Sequence, residues 1–225
     1  AAAPWLSYLS EPAGSVEHVI FADPSLPLMD RLQATLAADT IVLYLDPDAD
    51  GLAQINQQME ALPKLESISI LTHGDTGTVQ LGNIQLEAGS LEARASELAA
   101  LGDHLSATGD ILIYGCDLAA DEDGRALVSG LAQLTGADIA ASTDLTGPTE
   151  LQGDWDLEFR HGQVETASLT PLQTGGINTL LADTVVNENV AGATLFTGLP
   201  ADSAEVFGPI GVNAELVDDG GTKTL

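Results

Sequence analysis

The single cysteine of the chain, Cys116, ends an apolar stretch of residues in the same way that His73 ends another. Residues 68–73 and 110–116 have the composition of buried β-strands, and both reactive side chains stand at the carboxyl end of their strand. In open α/β sheets this edge is where ligands bind, so two neighbouring strands would turn the imidazole and the thiol toward one cleft. An imidazole beside a thiol lowers the thiol pKa, and we therefore expect a nucleophilic thiolate at neutral pH.

Gly74, directly after the histidine, suits the same chemistry. Because glycine has no Cβ, a substrate carbonyl can approach closely, and the N–H groups of Gly74 and Cys116 form a candidate oxyanion hole. In the reaction that this pattern predicts, the Cys116 sulfur attacks a peptide carbonyl and His73 protonates the leaving amine. Water then hydrolyses the acyl-enzyme. His73 and Cys116 are therefore the candidate catalytic residues.

Three aspartates near this pair are candidates for supporting or specificity roles. Asp75 stands beside His73 and could orient it, while Asp117 and Asp144 could form an acidic rim that accepts a basic side chain. Asp75 has a simpler interpretation, since loop aspartates commonly form turns. For Asp117 and Asp144, the 34 acidic residues of the chain make an acidic rim expected whatever the function. The pair itself also has a simpler interpretation, because free cysteine is among the most buried residue types and a His-Gly dipeptide is commonly a turn. A structural role for Cys116 therefore stays open beside the catalytic one.

Short apolar, β-branched runs alternate with helical patterns from residue 16 to about residue 168, which predicts βα units on a mostly parallel sheet. The predicted strands are residues 16–23, 41–46, 68–73, 110–116 and 138–142. The predicted helices are residues 28–37, 52–62, 91–105 and 124–135. Two β-hairpins interrupt the alternation, one at residues 78–86 around Gly82-Asn83 and one formed by residues 155–159 and 163–167. We therefore predict an α/β sandwich with added hairpins.

The composition of the sequence changes after the second predicted hairpin. Residues 1–15 are predicted to be an N-terminal extension, residues 16–169 an α/β domain and residues 170–182, rich in Thr and Gly, a linker. Residues 183–225 have no helical period and are predicted to be the start of a β repeat or an extended, disordered tail. The segment 187–192 resembles the opening strand of cadherin-like repeats. No run reaches the ~20 apolar residues of a transmembrane helix, so we expect no membrane insertion.

The chain is strongly acidic, with 34 Asp and Glu against 6 Lys and Arg in 225 residues and a formal net charge of -28. A surface of this sign repels phosphate backbones and anionic lipid headgroups, which argues against nucleic-acid and membrane-surface binding. It favours cations or basic peptides as partners, or it serves only to keep the protein soluble. With one cysteine, the chain has neither an internal disulfide nor a zinc motif.

Asp46, Asp48 and Asp50 alternate in the D-x-D-x-D-G spacing of a calcium loop, which presents alternate carboxylates to one cation. The position that supplies a bidentate carboxylate in an EF-hand is Gln57 here, however, and a strand rather than a helix precedes the loop. The competing interpretation is a strand-to-helix turn with Asp50 as the helix N-cap. Calcium is thus the one cofactor with a candidate site, and the cysteine chemistry requires none.

An apolar strand ending in His73-Gly74, followed by one ending in Gly115-Cys116, resembles the motif pair of the cysteine-peptidase clan that contains caspases, gingipains, legumains and clostripains. The resemblance implies a caspase-like three-layer sandwich and a Cys-His peptidase mechanism. Residues 16–168 also resemble an uncharacterised bacterial domain family found near the start of very large surface adhesins. The motifs that carry this second resemblance are residues 73–74, 81–83, 114–117, 134–138, 141–142, 145–147 and 153–158. It implies a secreted, modular protein at the surface of a bacterium.

Two functions compete for this domain. The first is a cysteine peptidase-like domain of a secreted or cell-surface bacterial protein, which acts on a peptide or processes its own polypeptide in the linker after Leu169. The second is a non-catalytic structural or adhesion module of a giant calcium-dependent adhesin, which would bind calcium or a cell-surface partner. The first predicts a reactive Cys116 and the second a buried, unreactive one.

Overall fold

The computed structural model describes residues 16–26, 35–174, 177, 179–181, 215–218 and 221–224. The chain divides into two compact units, Ala1–Val185 and Val186–Leu225. The predicted N-terminal extension, most of the helix predicted at residues 28–37 and most of the predicted tail lie outside the described residues. Among the described residues, no helix combines the length and the apolar character that a membrane span requires.

The first unit alternates strands and helices along the chain. Its strands are β1 (His18–Ala22), β2 (Thr40–Tyr44), β3 (Leu65–Leu71), β4 (Gly74–Asp75), β5 (Thr78–Leu81), β6 (Ile84–Glu87), β7 (Leu105–Tyr114), β8 (Asp138–Ala141) and β9 (Phe159–His161). Its helices are α1 (Gly51–Met59), α2 (Ala95–Asp103), α3 (Glu122–Thr135) and the short α4 (Pro171–Thr174), with 3-10 helices at Ala88–Arg94 and Thr149–Leu151. In the second unit, β10 (Glu215–Asp218) pairs antiparallel with β11 (Gly221–Thr224).

Six strands form the main sheet in the order β2-β1-β3-β7-β8-β9. All neighbours are parallel except the edge pair of β8 and β9, which is antiparallel. The predicted α/β fold with a mostly parallel sheet is therefore confirmed. A second sheet of three short strands, β4-β5-β6, follows β3 and contains the predicted hairpin, whose turn residue Gly82 has a left-handed φ of 56°.

Side chains alternate between the two faces of the main sheet, as the period of a β-strand dictates. In β7, Ile113 joins one buried cluster, whereas its neighbours Leu112 and Tyr114 join the other. Helices α1, α2 and α3 cover the first face with their apolar positions, such as Leu127 in α3. Burying one such side chain stabilises the fold by about 1.5–3 kcal/mol. Cys116 belongs to the second cluster and so shares a face with Tyr114.

Helix α3, which follows the Cys116 loop, begins and ends where the sequence supplies caps. The Asp121 side chain accepts a hydrogen bond from the Gly124 N–H at 2.9 Å. Glu122 and Asp123 place negative charge in the first turn, where the helix dipole favours it. At the other end Gly136 has a left-handed φ of 74°, a conformation that glycine adopts at little cost. The helix predicted at residues 124–135 is confirmed, with its start two residues earlier.

The second predicted hairpin, at residues 155–159 and 163–167, is wrong. Strand β9 instead pairs with β8 at the edge of the main sheet. Beyond β9, the N–H groups of Glu165 and Thr166 donate to the buried carboxylate of Asp110 at 3.0 and 2.7 Å. A side chain therefore satisfies the two amides that a second hairpin strand would have paired.

The predicted linker at residues 170–182 contributes to the packing of the first unit. Ile177 and Leu181 are 4% and 0% exposed, and both belong to the second buried cluster. The packed part of the domain thus extends past residue 169, where the α/β domain was predicted to end.

Candidate functional site

Strands β3 and β7 bring His73 and Cys116 to the same edge of the main sheet. The two strands are direct parallel neighbours in which Leu71 lies opposite Tyr114, and each candidate residue stands two positions further along its chain. A hydrogen bond of 3.1 Å from the Thr72 N–H to the Tyr114 carbonyl continues this pairing into the loops. His73 is half-buried, whereas Cys116 is 1% exposed. The neighbouring strands on which the cleft depends are therefore present.

Gly74 and Gly115 allow direct backbone contact between the two loops. A Cβ at Gly74 would lie 2.8 Å from the Gly115 carbonyl carbon and 3.0 Å from the Cys116 nitrogen. Backbone atoms cannot yield to such contacts as the end of a flexible side chain can, so any side chain at position 74 would force the loops apart. Because Gly74 has no Cβ, the N–H groups of Gly74 and Cys116, the two candidate oxyanion-hole donors, can lie side by side.

Both of these amides donate to one carbonyl oxygen, that of Leu181. The Leu181 oxygen lies 3.0 Å from the Gly74 nitrogen and 3.3 Å from the Cys116 nitrogen. The two N–H groups that the sequence suggests as an oxyanion hole therefore bind a carbonyl of the protein's own chain. Two backbone donors on one peptide oxygen are the arrangement that stabilises negative charge on that oxygen during acyl transfer.

Leu181 is bound through its N–H as well as through its carbonyl. The Leu181 N–H donates to the carbonyl oxygen of Thr146, in the loop after β8, at 2.9 Å. Main-chain hydrogen bonds on both sides of one residue are the way in which proteins hold an extended peptide. They determine both the position and the direction of the chain at Leu181.

Two glycines in a neighbouring segment of the same chain make room for the residues before Leu181. A Cβ at Gly147 would lie 3.0 Å from the Thr179 carbonyl oxygen, and a Cβ at Gly153 would lie 2.9 Å from Leu180 Cδ2. Gly147 also has a φ of 149°, a backbone conformation that side-chain-bearing residues rarely adopt. Segment 179–181 therefore lies in a groove in which Gly147 and Gly153 present only backbone atoms.

The Leu181 side chain lies in the apolar cluster on the same face of the sheet as Cys116. It is 0% exposed, and the cluster includes Tyr114 and Trp155, whose ring centroids are 6.0 Å apart. The Tyr114 hydroxyl accepts the Leu169 N–H at 2.8 Å, and burial raises the pKa of Tyr114 to about 12. This hydrogen bond fixes an aromatic ring of the cluster in position.

The Cys116 sulfur is enclosed by the loop after β8. The Thr146 N–H donates to Sγ at 3.2 Å, and Sγ lies 3.6 Å from the Thr146 carbonyl oxygen. Burial raises the pKa of Cys116 to about 11, and the carboxylates of Asp117 and Asp144 act in the same direction. The expected thiolate at neutral pH is therefore wrong for the folded chain. Out of water and beside negative charges, the neutral thiol is the favoured form.

Ser25 and Asp23, in the loop after β1, engage the candidate histidine. Ser25 Oγ lies 3.0 Å from His73 Nε2 and 2.6 Å from Asp23 Oδ1. Because a carboxylate only accepts hydrogen bonds, the Ser25 hydroxyl donates to Asp23 and accepts from the His73 Nε2–H. This network assigns the proton of the neutral imidazole to Nε2 and leaves Nδ1 as the acceptor.

Sequence reasoning did not identify Ser25 and Asp23. A signal was available, since the predicted strand at residues 16–23 runs directly into them and parallel strands end at one edge of the sheet. What the sequence did not specify is that β1 lies next to β3. That neighbourhood brings the Ser25 loop to His73.

The three accompanying aspartates lie in three different segments: Asp75 in β4, Asp117 after β7 and Asp144 after β8. Asp75 is exposed, and its Oδ1 accepts the Thr76 N–H at 2.7 Å in a local turn. The Asp117 N–H donates to the Asp144 carbonyl at 2.7 Å, which ties the loop after β7 to the loop after β8. Burial raises the pKa of both Asp117 and Asp144, and neighbouring carboxylates add to the effect. An acidic rim thus adjoins Cys116, and the recognition of a basic side chain by that rim stays a prediction.

Asp46, Asp48 and Asp50 make local hydrogen bonds at the start of α1. Asp46 Oδ1 accepts the Asp48 N–H at 2.9 Å, and Asp50 Oδ1 accepts the Ala53 N–H at 3.1 Å as the helix N-cap. Asp50 also forms an ion pair of 2.7 Å with Arg94. Burial opposes ionisation of Asp50, but the hydrogen bond from Ala53 and the Arg94 charge outweigh it and lower the pKa of Asp50. Asp50 thus has the N-cap role, and calcium in this loop stays a prediction.

Other acidic groups bring their ligand atoms closer together. In the part of the chain that the structure describes, three groups have ligand atoms within 4.8 Å of one another and could hold a cation. They are Glu17, His18 and Asp39; Asp110, Asp138 and Glu165; and Asp144, Asp154 and Glu158. The calcium-loop aspartates are not among them.

The fold and the cleft define an α/β domain that carries a candidate cysteine nucleophile at the carboxyl edge of its sheet. The chain belongs to the family described as a domain of unknown function (DUF4347), whose model matches residues 19–179. No curated protein matches the chain. The predicted membership of an uncharacterised domain family is thereby confirmed.

Two solved structures resemble part of the chain weakly. A crystal structure of a small-chain dehydrogenase is 12% identical, covers 53% of this chain and 73% of its own, and has a TM-score of 0.30. A crystal structure of a small-chain dehydrogenase in complex with NADPH is 12% identical, covers 53% of this chain and 59% of its own, and has a TM-score of 0.26. TM-scores this low carry no conclusion about the present domain.

Proposed function

We propose that the domain is a cysteine peptidase-like unit that processes its own polypeptide, with Cys116 as nucleophile and His73 as general acid and base. The observation that carries this proposal is the pair of hydrogen bonds from the Gly74 and Cys116 amides to the Leu181 carbonyl oxygen. One of the two donors belongs to the candidate nucleophile itself. A carbonyl held by that amide is held close to the sulfur of the same residue.

The hydrogen bonds around the histidine support the same roles. With its proton on Nε2 and shared with Ser25, the neutral His73 imidazole has its basic nitrogen at Nδ1, and the proposal assigns the thiol proton to that nitrogen. The thiol pKa of about 11 means that Cys116 rests in its protonated form. Proton transfer to the imidazole then accompanies the formation of the sulfur–carbon bond, as in other pairs of nucleophile and base.

The setting of the domain is part of the proposal. The resemblance to domains near the start of very large bacterial adhesins, together with the net charge of -28, favours a secreted or cell-surface protein. The strands that end at His73 and Cys116 resemble the motif pair of the caspase-like clan, and this resemblance supports the peptidase mechanism in the proposal. The partner would then be a peptide segment, the domain's own chain first of all.

Mutation of the two catalytic candidates tests the proposal. The full chain and the variants Cys116→Ala, His73→Ala and His161→Ala are incubated under matched conditions across a pH series and followed by intact-mass spectrometry. We expect fragments from the unmodified chain and from His161→Ala, whose histidine lies in β9 at the far edge of the sheet. Neither Cys116→Ala nor His73→Ala should fragment. Identical fragments from Cys116→Ala would overturn the proposal.

A second candidate function is favoured by the burial of the thiol. A cysteine that is 1% exposed, with its pKa raised to about 11, is also what a non-catalytic structural or adhesion module would contain. In that case segment 179–181 simply completes the core. A chain that stays intact at every pH, with a Cys116 that no peptide-like electrophile labels even when the segment is displaced, supports this candidate.

A further inference from the structure

We infer that the bond cut by this domain is Leu181–Ala182, and that the Leu181 position selects peptides with leucine before the scissile bond. The inference rests on the proposed function and adds its substrate. No sequence motif predicts cleavage of this bond. It follows from which carbonyl the candidate oxyanion hole holds.

The choice of carbonyl is determined by hydrogen bonds on both sides of Leu181. Its oxygen accepts from Gly74 and Cys116, and its N–H donates to Thr146. A shift of the segment by one residue would place a different carbonyl before the two amides and would turn the following side chain away from the cluster. The Leu181 carbonyl is therefore the one in position for attack.

The side-chain environment explains why leucine occupies this position. Leu181 is 0% exposed and shares its buried cluster with Tyr114 and Trp155. A lysine or aspartate there would bury a charge among apolar groups, whereas methionine would fill a similar volume without one. Leu180, one residue earlier, is only partly buried and rests on the bare backbone of Gly153. Specificity should therefore be strict at Leu181 and looser at Leu180. This preference for leucine replaces the basic side chain that the sequence predicts from Asp117 and Asp144.

The bond changes balance as a simple hydrolysis. The Cys116 sulfur forms a bond to the Leu181 carbonyl carbon while His73 takes the thiol proton. The bond from that carbon to the Ala182 nitrogen breaks, and His73 returns the proton to the new amine. Water then cleaves the thioester, which leaves a carboxylate at Leu181 and restores the thiol.

The position of this bond suits a processing event. The first compact unit ends at Val185, so a cut after Leu181 falls just before the boundary of the two units. The products are residues 1–181 and residues 182–225. The candidate nucleophile, histidine and oxyanion-hole amides all stay with the first product.

The bond is tested on the full chain with changes on both sides of it, at Ala182 and at the buried Leu181. Intact-mass spectrometry should find products 1–181 and 182–225 from the unmodified chain and from Ala182→Gly. Ala182→Pro should stop the cut, because its ring constrains the backbone of the preceding residue and its nitrogen is tertiary. Leu181→Met should be cut and Leu181→Asp should not. The melting temperature of each variant, measured in parallel, separates loss of folding from loss of cleavage.

Peptide probes test the pocket without relying on the chain's own bond. In the full-length Leu181→Lys variant the cleft segment no longer fits, and a Thr-Leu-Leu acyloxymethyl ketone should label Cys116 at least about ten-fold faster than a Thr-Leu-Lys one. Equal labelling by the two probes overturns the leucine assignment.

The outcomes keep the inference and the proposed function apart. Cleavage that depends on Cys116 but maps to another bond overturns the inference and leaves the proposed function standing. The inference and the proposed function are both overturned if the unmodified chain stays intact and the folded Leu181→Lys variant reacts with neither probe.

Discussion

The backbone nitrogen of Cys116 lies 3.3 Å from the carbonyl oxygen of Leu181, so the candidate nucleophile and segment 179–181 are joined by a hydrogen bond. The same segment contributes a fully buried leucine to the cluster that contains Cys116. The chemistry of the thiol therefore depends on whether residues 179–181 are in the cleft.

Cys116 in the uncut chain, which mass spectrometry distinguishes from the cut one, should react slowly with iodoacetamide at neutral pH, because it is 1% exposed and its pKa is raised to about 11. Replacing Leu181 by lysine should speed alkylation by about ten-fold or more, since a charge cannot stay in the apolar cluster. A time course by mass spectrometry measures both rates. Rapid alkylation of the uncut chain would show that the segment leaves the cleft freely.

The raised thiol pKa should also make the stability depend on pH. The pKa of Cys116 rises from an ordinary value of 9.0 to about 11 in the folded protein, so folding favours the protonated thiol. This contribution is complete below about pH 9 and is lost as the pH rises from about 9 to 11, with a total of about 2–3 kcal/mol.

Urea unfolding at about pH 8, 9 and 10 measures this loss, with Cys116→Ala as the control. The difference in stability between the two proteins should shrink as the pH rises. A difference that is constant over this range contradicts the raised pKa. Comparison of the two proteins also cancels the contribution of Tyr114, which titrates in the same region.

Gly74→Ala should destabilise the domain by about 1–3 kcal/mol, because the new Cβ would meet backbone atoms of Gly115 and Cys116 that cannot move aside cheaply. Gly89→Ala is the matched control, since a Cβ at Gly89 has nothing within 4 Å. Thermal unfolding of the two variants measures the contrast. Equal melting temperatures would mean that the contact between the two loops is not tight in solution.

The neutral imidazole of His73 should carry its proton on Nε2, because Ser25 Oγ donates to Asp23 and can only accept from the ring. The ¹⁵N shifts of the histidine side chains report the tautomer directly. In Ser25→Ala this preference should weaken. A Nδ1–H tautomer in the unmodified protein contradicts the assignment.

Asp50→Ala should cost about 1–2 kcal/mol of stability, because it removes both the N-cap of α1 and the partner of Arg94. Asp50→Ser should recover part of that loss, since serine keeps the cap without the charge. Chemical unfolding of the two variants separates the cap from the ion pair. If serine and alanine are equivalent at this position, the cap is not what stabilises the helix.

Much of the main sheet could be predicted because its strands carry local signals. The apolar runs that end at His73 and Cys116 become β3 and β7, and Asp121 and Gly136 bound α3 where capping preferences put them. The edge strand β9 could not be predicted in the same way. Its pairing and the turn after it depend on β8 and on the buried carboxylate of Asp110, which are distant in sequence.

The two halves of the candidate site differ in how far the sequence could determine them. That the histidine and the cysteine stand at strand ends follows from local pattern, and Gly74 and Cys116 could be named as paired donors for the same reason. Their acceptor could not. Leu181 lies in a Thr- and Gly-rich stretch that has the composition of a linker, and only the folded chain brings it back to the sheet edge. The protonated state of the thiol could not be predicted either, because it depends on burial and on the carboxylates of Asp117 and Asp144.

The acidic rim beside Cys116 has a consequence for what happens after a cut. Before cleavage the group at the Gly74 and Cys116 amides is an uncharged carbonyl, but afterwards it is the carboxylate of a new chain end. That charge would lie close to Asp117 and Asp144, whose own pKa values are already raised by burial and by neighbouring carboxylates. Like charges at short range repel, so the new terminus is held less firmly than the intact segment. Repulsion by the acidic rim would then favour departure of the cut end and leave the cleft open to other peptides.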